Sequence, residues 1–87
     1  MKSDMSDSVK WNKTTNSLPK ENELVWLASE NLKSIHLGCR VYLQNEGWFW
    51  AVADHYPYAD NGKIVADCVI EDIDVTHWKR LPKLPFE

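Results

Sequence analysis

The chain has 87 residues, a formal net charge of −3 and ten aromatic side chains, five of them tryptophan. A chain this short supports one domain and buries only roughly 60% of its unfolded surface, so large aromatic rings must supply much of any core. The charge is also uneven: +1 over residues 1–44, −6 over 45–74 and +2 over 75–87. An acidic middle argues against binding dominated by phosphate neutralisation, which makes nucleic acid an unfavoured partner.

Two cysteines, Cys39 and Cys68, are too few for the dense disulfide framework of small secreted domains, and nothing N-terminal reads as a secretory signal. A reducing cytosol is the expected setting. The longest apolar runs reach about five residues against the roughly 20 needed to cross a bilayer, so no membrane association is expected.

Residues 1–10, MKSDMSDSVK, are polar and aperiodic and read as a tail, leaving 11–87 as a single small β domain. Residues 12–23 read as a loop with extended character, because Pro19 forces Leu18 away from helical angles. Leu24 to Ala28 is a short apolar strand, followed by a polar turn over 29–34. The clearest strand runs from Ile35 to Gln44: Ile35, Leu37, Cys39, Val41 and Leu43 alternate with His36, Gly38, Arg40, Tyr42 and Gln44. Asn45-Glu46-Gly47 then predicts an antiparallel hairpin with 48–55.

Residues 56–62 form a longer connection ending in Asn61-Gly62, and 63–71 return as one strand with Ile64, Ala66, Cys68 and Ile70 aligned. Val75 to Lys79 is the last strand, after which Pro82 and Pro85 stop ladder pairing. The predicted fold is mainly β: a small five-stranded antiparallel meander, as a curled sheet or a small barrel, with a Pro-rich extended C-terminal strap.

The candidate chemistry is sparse. Zinc sites need a close Cys or His pair, and His36 and Cys39, three apart on a strand, point to opposite faces; neither a metal nor a cofactor is expected. Asp54-His55, and Asp72 and Asp74 with His77, lack an accompanying nucleophile, so no catalytic residue is assigned and the chain is not expected to be an enzyme. Trp48, Phe49 and Trp50 with Tyr56 and Tyr58 could stack on bases, but Glu46, Asp54 and Asp60 flank them rather than cations. Exposed aromatics are better suited to a protein partner. Trp48, Trp50, Tyr56, Tyr58, Asp60, Glu71, Asp72 and Asp74 are therefore the expected partner-binding residues. The Pro-x-x-Pro of residues 82–85, preceded by Lys79, matches a polyproline ligand but reads more simply as a strap lying on the domain.

Trp11, then Leu18-Pro19, then Val25-Trp26-Leu27, and finally Val75-Thr76-His77-Trp78 with Leu81-Pro82 and Pro85, occur in an order that resembles the phage- and prophage-borne family catalogued as domain of unknown function 551. Ser17 stands where that family commonly has arginine, and Lys79-Arg80 where it has Met-Pro. The resemblance implies a small bacteriophage or prophage accessory protein working in a bacterial host cytoplasm, and supplies no catalytic residue. It also leads us to expect Trp11 near Trp78, with the two Leu-Pro units strapped over one edge.

The reading favoured is a module that binds a host or phage protein, with inhibition of a host defence or regulatory protein as one form. A nucleic-acid or nucleotide binder using the aromatic hairpin with Arg40, Lys79, Arg80 and Lys83, and a small hydrolase or metal-dependent enzyme using Asp54, His55 and His77, are the alternatives. An exposed edge strand would also permit a homodimer.

Overall fold

A computed structural model describes residues 10–85, and among them the chain is all β, with no helix. Eight strands form: β1 (Asn12–Lys13), β2 (Val25–Ser29), β3 (Ser34–Leu43), β4 (Gly47–Ala53), β5 (Tyr58–Asp60), β6 (Lys63–Val65), β7 (Cys68–Glu71) and β8 (His77–Arg80). Six make one antiparallel sheet in the order β1-β8-β2-β3-β4-β7, and β5 and β6 pair by themselves. The sheet is open and not closed into a barrel.

The β3–β4 hairpin follows from period-two alternation and a short loop in which Asn45 (φ 71°) and Gly47 (φ 103°) take left-handed angles. Asn61 (φ 55°) and Gly62 (φ 77°) do the same for the β5–β6 hairpin, two consecutive left-handed residues being the signature of a two-residue type I′ turn.

Four features depart from the expected meander, the first being that the connection 56–62 contains strand β5. Residues 12–13, read as loop, add a strand, because Asn12 and Lys13 pair with Trp78 and His77. The stretch 63–71, read as one strand, breaks at Ala66-Asp67. The Asp67 carbonyl accepts from Asp54 N–H there, so β6 turns away to β5 while β7 joins β4. The final strand, expected over 75–79, runs from His77 to Arg80, and just ahead of it Thr76 N–H donates to the Ala28 carbonyl of β2. It inserts between β1 and β2.

That insertion builds the core. β7 lies beside β4 and β8 beside β2, so residues 72–76 must cross the sheet over β4, β3 and β2. Val75 on this crossing segment is buried and joins Val25, Leu27 and Trp78, with Trp50, Val52 and Ile73 packed around them. By register, Val25, Leu27, Gly38, Trp50, Val52 and Trp78 share one sheet face, called here the covered face.

Gly38 sits at its centre, opposite both Val25 and Val52; a Cβ there would lie 2.1 Å from the Ala51 carbonyl oxygen and 2.8 Å from Leu27 Cδ1. Its missing side chain allows the close backbone approach at this point. The other face carries Ile35, Leu37, Cys39, Val41 and Leu43, the apolar row of the alternation, yet of these only Cys39 is buried.

The N-terminal segment ties down Trp78 and the residues just before it. Its indole Nε1 donates to the Ser17 carbonyl at 3.0 Å, Asn12 Nδ2 donates to its carbonyl, and Thr14 Oγ1 donates to the Val75 carbonyl. Trp11, next to Asn12, stands beside the same strand, but its ring receives Lys79 Nζ at 5.3 Å and is 37% exposed. The two Leu-Pro units separate: the segment ending in buried Pro19 passes Trp78, whereas Leu81 and Leu84 line a cavity with Cys39 on the opposite sheet face.

Candidate functional site

The β3–β4 hairpin outruns its neighbours. β2 pairs with β3 only from Ser34 to Gly38, β7 pairs with β4 only from Trp50 to Ala53, and beyond Gly38 a single bridge joins Glu21 to Arg40. Residues 41–49 therefore form a two-stranded ribbon whose outer backbone edges carry no ladder. A lone two-stranded ribbon is marginal in water, and this one is held by side chains paired across it.

Tyr42 stands opposite Trp48 with ring centroids 5.1 Å apart and a 59° tilt. The Arg40 guanidinium lies 4.1 Å from the Trp48 centroid and 5.7 Å from that of Trp50. Contacts of this kind contribute about 0.5–1.5 kcal/mol for the aromatic pair and about 0.5–1 kcal/mol for an exposed cation on a ring. They leave Tyr42 and Trp48 each 48% exposed. Trp50, one pair further in, packs on the core and is not a free surface.

The expected partner-binding residues do not form one patch by strand pairing. Trp48, Trp50 and Glu71 share a face, with Glu71 directly opposite Trp50. Tyr58 and Asp60 belong to β5 in the second sheet, Tyr58 53% exposed, and Tyr56 precedes it at 94% exposure. Asp72 and Asp74 lie on the crossing segment, where Asp74 accepts from Asn31 Nδ2. Tyr42 is absent from the expected partner-binding set, and Arg40 was expected only as a contact for nucleic acid. The hairpin itself held the signal, because a three-residue loop over 44–46 sets Tyr42 opposite Trp48 and Arg40 opposite Trp50.

The groups considered for catalysis are scattered. His55 sits 3.6 Å from Asp54 with both side chains more than half exposed. His77 Nδ1 is 2.9 Å from Thr76 Oγ1, and His36 Nε2 is 2.9 Å from Ser34 Oγ. Arg80 pairs with Glu23 at 3.2 Å and stacks on Trp78 at 5.6 Å, and so is partly spoken for as an anion ligand. Among the described residues no helix is long and apolar enough to cross a membrane.

A cavity of about 600 Å³ opens on the face opposite the core, lined by Cys39, Cys68, Lys63, Arg80, Lys83 and Leu84 among others. Both thiols are free. Burial pushes the Cys39 thiol up, with Cys68 pulling it partly back. Cys68 is pushed up to about 11 by burial and then by neighbouring Cys39 and Asp67.

Scans of the chain against protein-family models, curated sequences and solved structures return no match.

Proposed function

We propose that this chain is a protein-interaction module, whose contact surface is the ribbon 41–49 with Tyr42 and Trp48 presented on it. The observation that carries this reading is the ribbon's projection past both neighbouring strands with two half-exposed aromatic rings, Tyr42 packed on Trp48 and Trp48 covered by Arg40. Aromatic side chains held rigid lose little conformational entropy on binding, and such residues dominate interface hot spots. Glu46 at the tip and Glu71 beside Trp50 give the surroundings an acidic character that suits a basic partner surface. The order of Trp11, Leu18-Pro19 and Thr76-His77-Trp78 adds the expectation of a phage or prophage accessory role in a bacterial cytoplasm, with inhibition of a host protein as one form of it.

Capture from lysate of phage-infected bacteria tests the reading. Wild-type protein should retain a stoichiometric protein partner that Trp48→Ala and Tyr42→Ala both lose while remaining folded. Retention of the same partner by both variants would reject the ribbon as the contact surface, and the absence of any protein partner would reject the module.

Nucleic acid is the second reading, favoured only by Arg40 lying against two indoles on an aromatic platform. Single-stranded DNA binding that weakens steeply with salt would replace the first proposal.

A further inference from the structure

β1 and β7 are the two edges of the six-stranded sheet, and they are finished differently. β1 is two residues long and carries Lys13, a short charged edge of the kind that discourages a further strand. β7 is four residues long, Cys68-Val69-Ile70-Glu71, with neither proline nor lysine, and Val69 and Ile70 are 42% and 46% exposed. Among the described residues only β4 pairs with it.

The direction of its backbone groups follows from one bond. Asp54 N–H donates to the Asp67 carbonyl at 2.8 Å, and these two residues continue the register in which Ala53 faces Cys68. In an antiparallel ladder the residues that exchange bonds with one neighbour alternate with residues that face away from it. Asp67, Val69 and Glu71 therefore direct their N–H and C=O groups to β4, while Cys68 and Ile70 turn theirs outward. A strand added at the usual spacing of roughly 4.8 Å would meet those outward groups.

The side chains specify what such a strand must carry. Asp67, Val69 and Glu71 lie on one face of the sheet, Cys68 and Ile70 on the other. Opposite residues 67–71 a partner strand therefore needs a cation at each end and apolar residues between them. Asp67, Glu71 and Asp72 are all exposed, and no Lys or Arg occurs between Lys63 and Lys79 to neutralise them. The same charge argues against a second copy of this chain as the occupant. Self-pairing about Ile70 would bring the carboxylates of both copies to one edge with no cation among them.

We propose that the outer edge of β7 accepts an extended segment of another protein, a few apolar residues flanked by basic ones, as an added strand. The surface consists of β7 backbone and differs from the ribbon 41–49, so neither proposal depends on the other.

The peptide Lys-Lys-Val-Ile-Val-Lys-Lys, labelled at its N-terminus, serves as the probe. It is titrated against the full chain by fluorescence anisotropy, and amide exchange in the complex is followed by NMR. The peptide should bind, more weakly as salt rises. On binding, the Cys68 and Ile70 amides should become slow to exchange, as those of Val69 and Glu71 already are through β4. Ile70→Pro removes an outward N–H without touching the β4 ladder, and should weaken binding about tenfold or more. Glu71→Lys, an exposed change checked for folding by circular dichroism, should weaken it by a similar factor, whereas Trp48→Ala should bind as the wild type does. Failure of the peptide to bind, binding that leaves the Cys68 and Ile70 amides in fast exchange, or wild-type affinity in folded Ile70→Pro or Glu71→Lys overturns the proposal. Loss of binding in Trp48→Ala would move the peptide to the ribbon, and a free chain already dimeric with both amides protected would put a second copy on the edge; either result overturns it as well.

Discussion

Removing the Trp78 ring should show how far this small sheet depends on one side chain. Trp78 is 3% exposed, lies against Val25, Leu27 and Val75, and donates its indole N–H to the Ser17 carbonyl. A ring of this size buries up to about 250 Å², which at about 25 cal/mol per Å² gives an upper figure of roughly 6 kcal/mol. Measured Trp→Ala losses of about 3–5 kcal/mol agree with it. A domain of this size is stable by roughly 5–10 kcal/mol, so Trp78→Ala should leave the fold only marginally populated. Trp78→Phe keeps an aromatic ring but withdraws the donor from the Ser17 carbonyl, and should cost about 1–3 kcal/mol. Urea melts followed by far-ultraviolet circular dichroism, with the m-value held common, measure both. A loss below about 1 kcal/mol for Trp78→Ala would refute the assignment of Trp78 as the residue joining the N-terminal segment, the crossing segment and the sheet.

The sheet centre and the ribbon should respond in opposite ways. Gly38→Ala places a methyl against the Ala51 carbonyl and should cost about 1–3 kcal/mol or more in the same melts, because backbone rather than a mobile side chain must yield. Trp48→Ala should cost about 1–2.5 kcal/mol, the scale of the Tyr42 and Arg40 contacts it removes together, while abolishing partner capture. Arg80→Gln breaks an exposed pair with Glu23 and should change stability by at most about 1 kcal/mol. Cys68 is held protonated to about 11, above the ordinary thiol value of 9.0, so its contribution is fully present below pH 9 and is lost as pH rises through 11. Wild-type stability should therefore fall across that window more than that of Cys68→Ser, and maleimide labelling of Cys68 should show the same raised pH profile. An identical pH dependence of the two proteins would contradict it.

Several features were legible in the residues alone, each for a local reason. Alternation over Ile35–Gln44 and the Asn45-Glu46-Gly47 turn specify a hairpin, because side-chain direction and left-handed turn angles are set within a few residues. Asn61-Gly62 specifies a second tight turn, and Pro82 and Pro85 end the last strand. All-β character without a helix follows from the same patterns.

Other features were decided only by which strands met. The apolar row Ile35, Leu37, Cys39, Val41, Leu43 reads as the core side, yet the sealed core lies behind it, around Gly38. The covering segment, Ile73 and Val75, arrives from far along the chain. Alternation reports that two faces differ; it cannot report which one a distant crossing segment will cover. The insertion of β8 between β1 and β2, the projection of residues 41–49 and the placing of Cys39 and Cys68 on one sheet face all depend on pairings between residues tens of positions apart. Their relative placement is a property of the assembled sheet, set by long-range register and not by local preference.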